Sequence, residues 1–108
     1  MKAKIIIGNV LKKEPTADED TILTMIDIQE NQLRYLYNME PVTVSEDTEL
    51  LLPDRNSGVY EEFCYREIGK MRDDWDCYNN HNALYERERQ IALSKRSSGE
   101  IQNDWGWN

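Results

Sequence analysis

Large apolar residues recur through residues 57–78, at Tyr60, Phe63, Cys64, Ile68, Met71, Trp75 and Tyr78. Steps of three and four place them on one side of a helix. Ser57 is available to cap its start. Glu61 and Glu62 lie in the first turn, where the helix dipole favours anions. No other stretch carries as much aromatic surface, so the pattern predicts a central helix on which the rest packs. Gly69 inside it costs roughly 1 kcal/mol relative to alanine and marks a close packing point or a break.

The other segments read less uniformly. Residues 2–12 contain Ile5, Ile6, Ile7, Val10 and Leu11. Three consecutive β-branched residues predict a strand covered on both faces. Thr16 followed by Glu19 has the capping-box spacing, and Asp18, Glu19 and Asp20 suit a first helical turn. Ile22, Ile26, Gln29, Leu33 and Leu36 then recur at heptad-like spacing, which predicts a helix over about 17–38, closed before Pro41. A hairpin pairing residues 24–28 with 33–39 competes with it, because Thr24, Ile26 and Ile28 are β-branched. The stretch has no glycine for a tight turn, which favours the helix. Val42, Thr43 and Val44 predict a short strand, and 49–52 reads as a second short strand or one helical turn. Residues 53–58 are a loop rich in turn formers. Asn79, Asn80, His81 and Asn82 interrupt the helical pattern, and Asn82 can cap a last helix from Ala83 to about Arg96.

These elements predict an α+β fold: a small antiparallel sheet, built from the N-terminal strand and the 42–52 region, packed against two or three helices. At 108 residues the chain fits one domain, with residues 1–100 globular and 101–108 a tail carrying Trp105 and Trp107. The apolar run that starts at Ile5 is too short for a secretory signal, and no stretch is long enough for a membrane span. On one helix Cys64 and Cys77 would lie about 20 Å apart, beyond disulfide reach. Reduced thiols suit a cytoplasmic protein.

Charge narrows the function further. The net charge is −8, and it is unevenly spread. Residues 1–13 hold four lysines and no acid. Residues 14–62 hold thirteen acids against Arg34 and Arg55, a balance of −11. Residues 63–108 come to −1. An acidic middle is repelled by a nucleic-acid backbone and suits a basic protein partner. Candidate partner-binding residues are therefore Asp18, Glu19, Asp20, Glu46, Asp47 and Glu49, with Trp105 and Trp107 as apolar anchors.

Catalytic signatures are weak. Cys77 and His81, four apart, or the acids Asp73, Asp74 and Asp76, could in principle touch a metal, but neither set has a metal-site spacing. No phosphate-loop, dinucleotide or nucleophile-elbow pattern occurs. A lone histidine leaves little general acid–base chemistry. The expectation is a non-enzymatic interaction protein without cofactor or metal. Short, acidic and motif-free, it is similar in general type to small phage-encoded inhibitors, one form of which presents carboxylates in place of nucleic-acid phosphates. The alternative is a nucleotide-binding or sequestering protein using Arg66, Arg72, Arg87 and Arg89 for phosphate and Tyr85 for stacking. The wide apolar arc of the central helix, with the tryptophan tail, also predicts a homodimer.

Overall fold

The computed structural model describes residues 1–97, with side chains through Ser94. It contains four helices: α1 (Ala3–Lys13), α2 (Glu19–Leu36), α3 (Ser57–Met71) and α4 (Trp75–Ser97). A single turn of 3-10 helix, Asp54–Asn56, leads into α3. No strand occurs among the described residues, and strand-like pairing is limited to one isolated bridge between Lys2 and Glu49. The α+β expectation and its sheet are overturned, and the fold is all-helical.

The N-terminal strand is α1. Ala3, Ile6, Ile7 and Val10 are buried, while Ile5 is 51% exposed. Positions 3, 6, 7 and 10 form one helical stripe. Isoleucine loses at most about 0.7 kcal/mol of helix propensity relative to alanine. Burying its side chain returns about 1.5–3 kcal/mol, so packing decides. Lys12 and Lys13 occupy the last turn, where the dipole favours cations.

Residues 42–52 pair with no strand; they run as short irregular pieces on either side of a turn at Glu46–Asp47. Their carbonyls close the start of α1 instead: Ala3 N–H donates to Thr48 O at 3.0 Å and Lys4 N–H to Glu46 O at 2.9 Å. Otherwise these helix-end donors would lack partners. Side chains of α2 hold the rest of the segment. Val42 N–H donates to Asn31 Oδ1 at 2.9 Å, Asn31 Nδ2 donates to Val42 O at 2.8 Å, and Val44 N–H donates to Asp27 Oδ1 at 2.9 Å. Further along, Leu51 N–H donates to Glu30 Oε2 at 3.0 Å. One polar face of α2 thus does the work of a sheet edge. It presses Val44, Leu50 and Leu52 into the core.

The start of α2 is capped by Asp18, whose Oδ2 accepts from Thr21 N–H at 2.9 Å. This replaces the expected Thr16–Glu19 box. The helix stops at Leu36, before Pro41 is reached. Asn38 has φ 55°, and Met39 N–H reaches back to Arg34 O at 2.8 Å while Asn38 N–H bonds Tyr35 O at 3.2 Å. That is a Schellman ending with asparagine in the left-handed position. The same ending closes α3: Asp73 has φ 55° and Asp74 N–H bonds Gly69 O at 2.9 Å. Because Asn38 and Asp73 are both exposed, their backbone conformation can be tested alone. Asn38→Gly and Asp73→Gly are expected to preserve stability, whereas Asn38→Val and Asp73→Val should each lose about 1–2 kcal/mol in urea denaturation.

The predicted helix over 57–78 is therefore two helices. Asp74 begins the second, its Oδ1 accepting from Cys77 N–H at 3.1 Å. Ser57 is the first residue of α3, and Asn56 before it makes no side-chain cap, so the expected Ser57 cap is absent. Asn82 caps nothing: α4 runs straight through residues 79–82, and Asn82 Oδ1 accepts from Arg66 Nη1 at 3.1 Å. Cys64 and Cys77 lie on separate helices and both are free.

α3 touches every other helix, α4 most extensively. Of the apolar arc that motivated the dimer, Tyr60, Phe63, Cys64 and Ile68 are buried within one chain, together with Val59, Tyr65 and Gly69, while Met71 and Trp75 stay exposed. Trp105 and Trp107 lie outside the described residues.

Candidate functional site

The latching of residues 42–52 onto α2 brings two acidic segments together. Between Val44 and Glu49 the chain makes a tight turn, with Thr48 N–H donating to Ser45 O at 3.1 Å and Ser45 N–H to Thr48 Oγ1 at 2.8 Å. This turn sits over the N-terminus of α1. It sets Glu46 beside Glu19 at the start of α2, close enough for the two carboxyl groups to share a hydrogen bond. Glu19 is held above its usual carboxylate range. The hydrogen bond to Glu46 is the largest cause, followed by the Glu46 charge, desolvation, and the charges of Asp20 and Asp18.

The six acidic residues picked from the sequence therefore divide. Asp18, Glu19, Asp20 and Glu46 form one exposed cluster. Asp47 and Glu49, on the same segment, face cations. Asp47 Oδ1 lies 3.3 Å from Lys4 Nζ and 3.9 Å from Lys2 Nζ, and Glu49 Oε2 lies 2.9 Å from the Met1 ammonium. Neutralisation by α1 stops short of Glu19 and Glu46.

The arginines of the nucleotide reading do not converge. Arg66 is enclosed in the α3–α4 seam. Its guanidinium lies 4.8 Å from the ring centres of both Phe63 and Tyr85, and its Nε donates to Glu67 at 3.0 Å. Arg72 is tied to Glu14 at 2.7 Å and to Thr16 at 3.1 Å. Arg87 is exposed and Arg89 faces α2. Tyr85 is buried against Phe63, so its ring has no free face for a base.

The other polar candidates serve the fold. His81 Nδ1 lies 2.6 Å from Glu62 Oε1, and its ring is 5.2 Å from that of Tyr65. Asp73 and Asp74 form the α3–α4 corner. Among the described residues, no group of three His, Cys, Asp or Glu side chains is placed to hold a metal ion. Burial pushes the Cys64 thiol up to about 12. Burial, then Asp74, also raises Cys77. Neither is poised as a thiolate nucleophile.

One surface feature escaped the sequence reading. Ile28, Gln32 and Tyr35 lie at steps of four and three on one face of α2, and all three are exposed. This second stripe was legible beside the Ile22–Ile26–Leu33 series. It borders a groove toward α4.

Comparison of the chain with protein-family models, with curated proteins and with solved structures finds no match. No helix of the described residues is long and apolar enough to cross a membrane.

Proposed function

We propose that the chain is a small, non-enzymatic, cytoplasmic interaction protein, an inhibitor or adaptor. It presents Glu19 and Glu46, flanked by Asp18 and Asp20, to a basic or nucleic-acid-binding protein. The observation that carries this reading is the meeting of like charges from two separate segments. Glu19 and Glu46 repel one another, while lysines two and four residues into the chain neutralise only the neighbouring Asp47. Folding alone gains nothing from that repulsion; a cationic partner would. Spaced carboxylates on a rigid turn and helix start also suit the replacement of nucleic-acid phosphates.

The sign of the pH dependence follows from the raised Glu19. Its repulsive contribution to the folded state is fully present above its folded pKa and disappears below the unfolded value of 4.5. Acidification through that window relieves the fold locally and removes charge from the partner surface, so binding should weaken there before the domain unfolds.

Affinity capture from lysate with the parent and with a Glu19→Gln/Glu46→Gln double variant tests the proposal. A basic protein should be retained by the parent at low salt. It should be lost to the double variant, and lost at about 1 M salt, where screening length falls to about 3 Å. The double variant should match or exceed the parent in stability at neutral pH. Equal retention by both chains, or retention indifferent to salt, would sink the reading.

A further inference from the structure

α2 and α4 both pack on α3 and make little contact with each other. This leaves a groove above α3, made of two hollows of about 500 and 380 Å³ that share Ile28 and Gln32. It follows α2 from Thr21 to Leu36, about 22 Å at 1.5 Å per residue. Among the described residues its apolar side chains lie open: Tyr35 is 83% exposed and Met71 65%, with Ile28 and Leu36 close to half. Contiguous apolar surface of this kind marks an interaction site.

Charge selects the occupant. Arg66, Glu67, Lys70 and Arg89 line the groove. Arg66 pairs with Glu67 at 3.0 Å, while Lys70 and Arg89 pair with no carboxylate among the described residues. Three cations against one acid leave this surface at +2, on a chain of net charge −8. The α2 acids Asp27 and Glu30 are turned to Val44 and Leu51 instead. A second copy fits poorly, because an isologous contact uses the same patch on both subunits and would oppose these cations. An extended peptide finds no sheet edge to join among the described residues. A small molecule needs enclosure on most sides, and this groove is open along its length. A helix needs only a groove, apolar contact and opposite charge.

We infer that the groove takes an acidic amphipathic helix of a partner protein. Its apolar residues, at steps of three and four, pack against Ile28, Tyr35, Leu36 and Met71, and its carboxylates reach Lys70 and Arg89. A groove of about 22 Å matches some four turns of helix. Tyr35 is the anchor on this side, an aromatic of the type that dominates interface energetics. The acidic surface around Glu19 and Glu46 plays no part in this contact. The chain then has two docking faces of opposite sign, as an adaptor requires.

Selection of displayed random peptides of about 15 residues, some four helical turns, on the immobilised full chain tests this. Peptides that also bind the Lys70→Glu chain are removed first, which discards those held by the acidic surface. Enriched sequences should combine Asp or Glu with apolar residues at steps of three and four, and should gain helical dichroism on binding. By fluorescence anisotropy they should lose at least about tenfold in affinity for Lys70→Glu and for Ile28→Asp. Both positions are exposed, so the far-ultraviolet dichroism of the chain should stay unchanged. The Glu19→Gln/Glu46→Gln chain should bind them as tightly as the parent, which keeps this result separate from the fate of the acidic surface. No enrichment over the Lys70→Glu chain would overturn the inference, as would enriched peptides without acidic residues or with undiminished affinity for Ile28→Asp. Self-association of the parent in light scattering, abolished by Ile28→Asp, would also overturn it and give the groove to a second copy.

Discussion

Replacing Glu30 by alanine is expected to destabilise the domain by about 3–5 kcal/mol, the cost of removing one member of a buried ionic network. For a domain of this size that lowers the melting temperature by more than about 10 °C. Glu30 has no exposed surface, and its carboxylate accepts from three sources. Tyr60 OH donates at 2.7 Å, Arg34 Nε at 2.9 Å and Leu51 N–H at 3.0 Å. Tyr60 in turn accepts from Leu52 N–H at 3.2 Å. Burial, then the Glu30 charge, drives the Tyr60 phenol well above its usual range, so it stays protonated and donates. Without Glu30, a guanidinium, a phenol and a backbone N–H lose their acceptor together. Tyr60→Phe removes one of those donors and should cost less, about 1–3 kcal/mol. A double-mutant cycle between the two should give a coupling of about 0.5–3 kcal/mol. Thermal and urea denaturation measure all three. A Glu30→Ala loss below about 1 kcal/mol would mean that water substitutes for the carboxylate.

The same variant bears on function. Glu30 is one of three α2 side chains, with Asp27 and Asn31, that fix residues 42–52 against the helix. Loosening that segment separates Glu46 from Glu19. Glu30→Ala should therefore weaken retention of a basic partner even at temperatures where the domain is folded.

This latch explains why the fold was only partly legible from the residues. The α3 stripe could be read because its apolar positions are local and numerous. The place where it ends could not: Asp73 and Asp74 look like a solvated edge until one turns into the left-handed region and the other caps α4. Residues 42–44 and 49–52 do read as extended, but the partners that satisfy their backbone are side chains eleven or more positions away on α2, and no periodicity marks them. Glu30 resembled one more surface acid in an acidic stretch. α1 misled for a different reason. Three adjacent isoleucines signal a strand by propensity, while the stripe Ala3, Ile6, Ile7, Val10 signals a helix by spacing, and burial on one face settles the conflict. The acidic character of the candidate surface was plain from composition. Which acids remain unneutralised depends on where α1 and the Ser45–Thr48 turn carry Lys2 and Lys4, and that is a tertiary result.

Two glycines in helices are expected to respond to alanine in opposite directions. Gly8 in α1 is exposed, and a Cβ there would meet nothing within 4 Å. Gly8→Ala should stabilise by about 0.5–1 kcal/mol, the usual gain from replacing glycine inside a helix. Gly69 in α3 offers the same gain, but a Cβ there would lie 2.9 Å from Tyr78 N, 3.1 Å from Cys77 Sγ and 3.2 Å from Asp74 O. Two of those atoms are backbone at the start of α4. Their position is set by the left-handed Asp73 and by the Asp74 cap, so they cannot give way as a flexible side chain would. Overpacking of this kind costs about 1–3 kcal/mol, which exceeds the propensity gain. Gly69→Ala should therefore destabilise, read as a lower urea midpoint at unchanged slope. Adding Cys77→Ala removes the sulfur contact and should recover only part of the loss, because the Tyr78 nitrogen remains. Full recovery in that double variant would show that the sulfur alone resists the methyl group, and that the α3–α4 corner yields elsewhere.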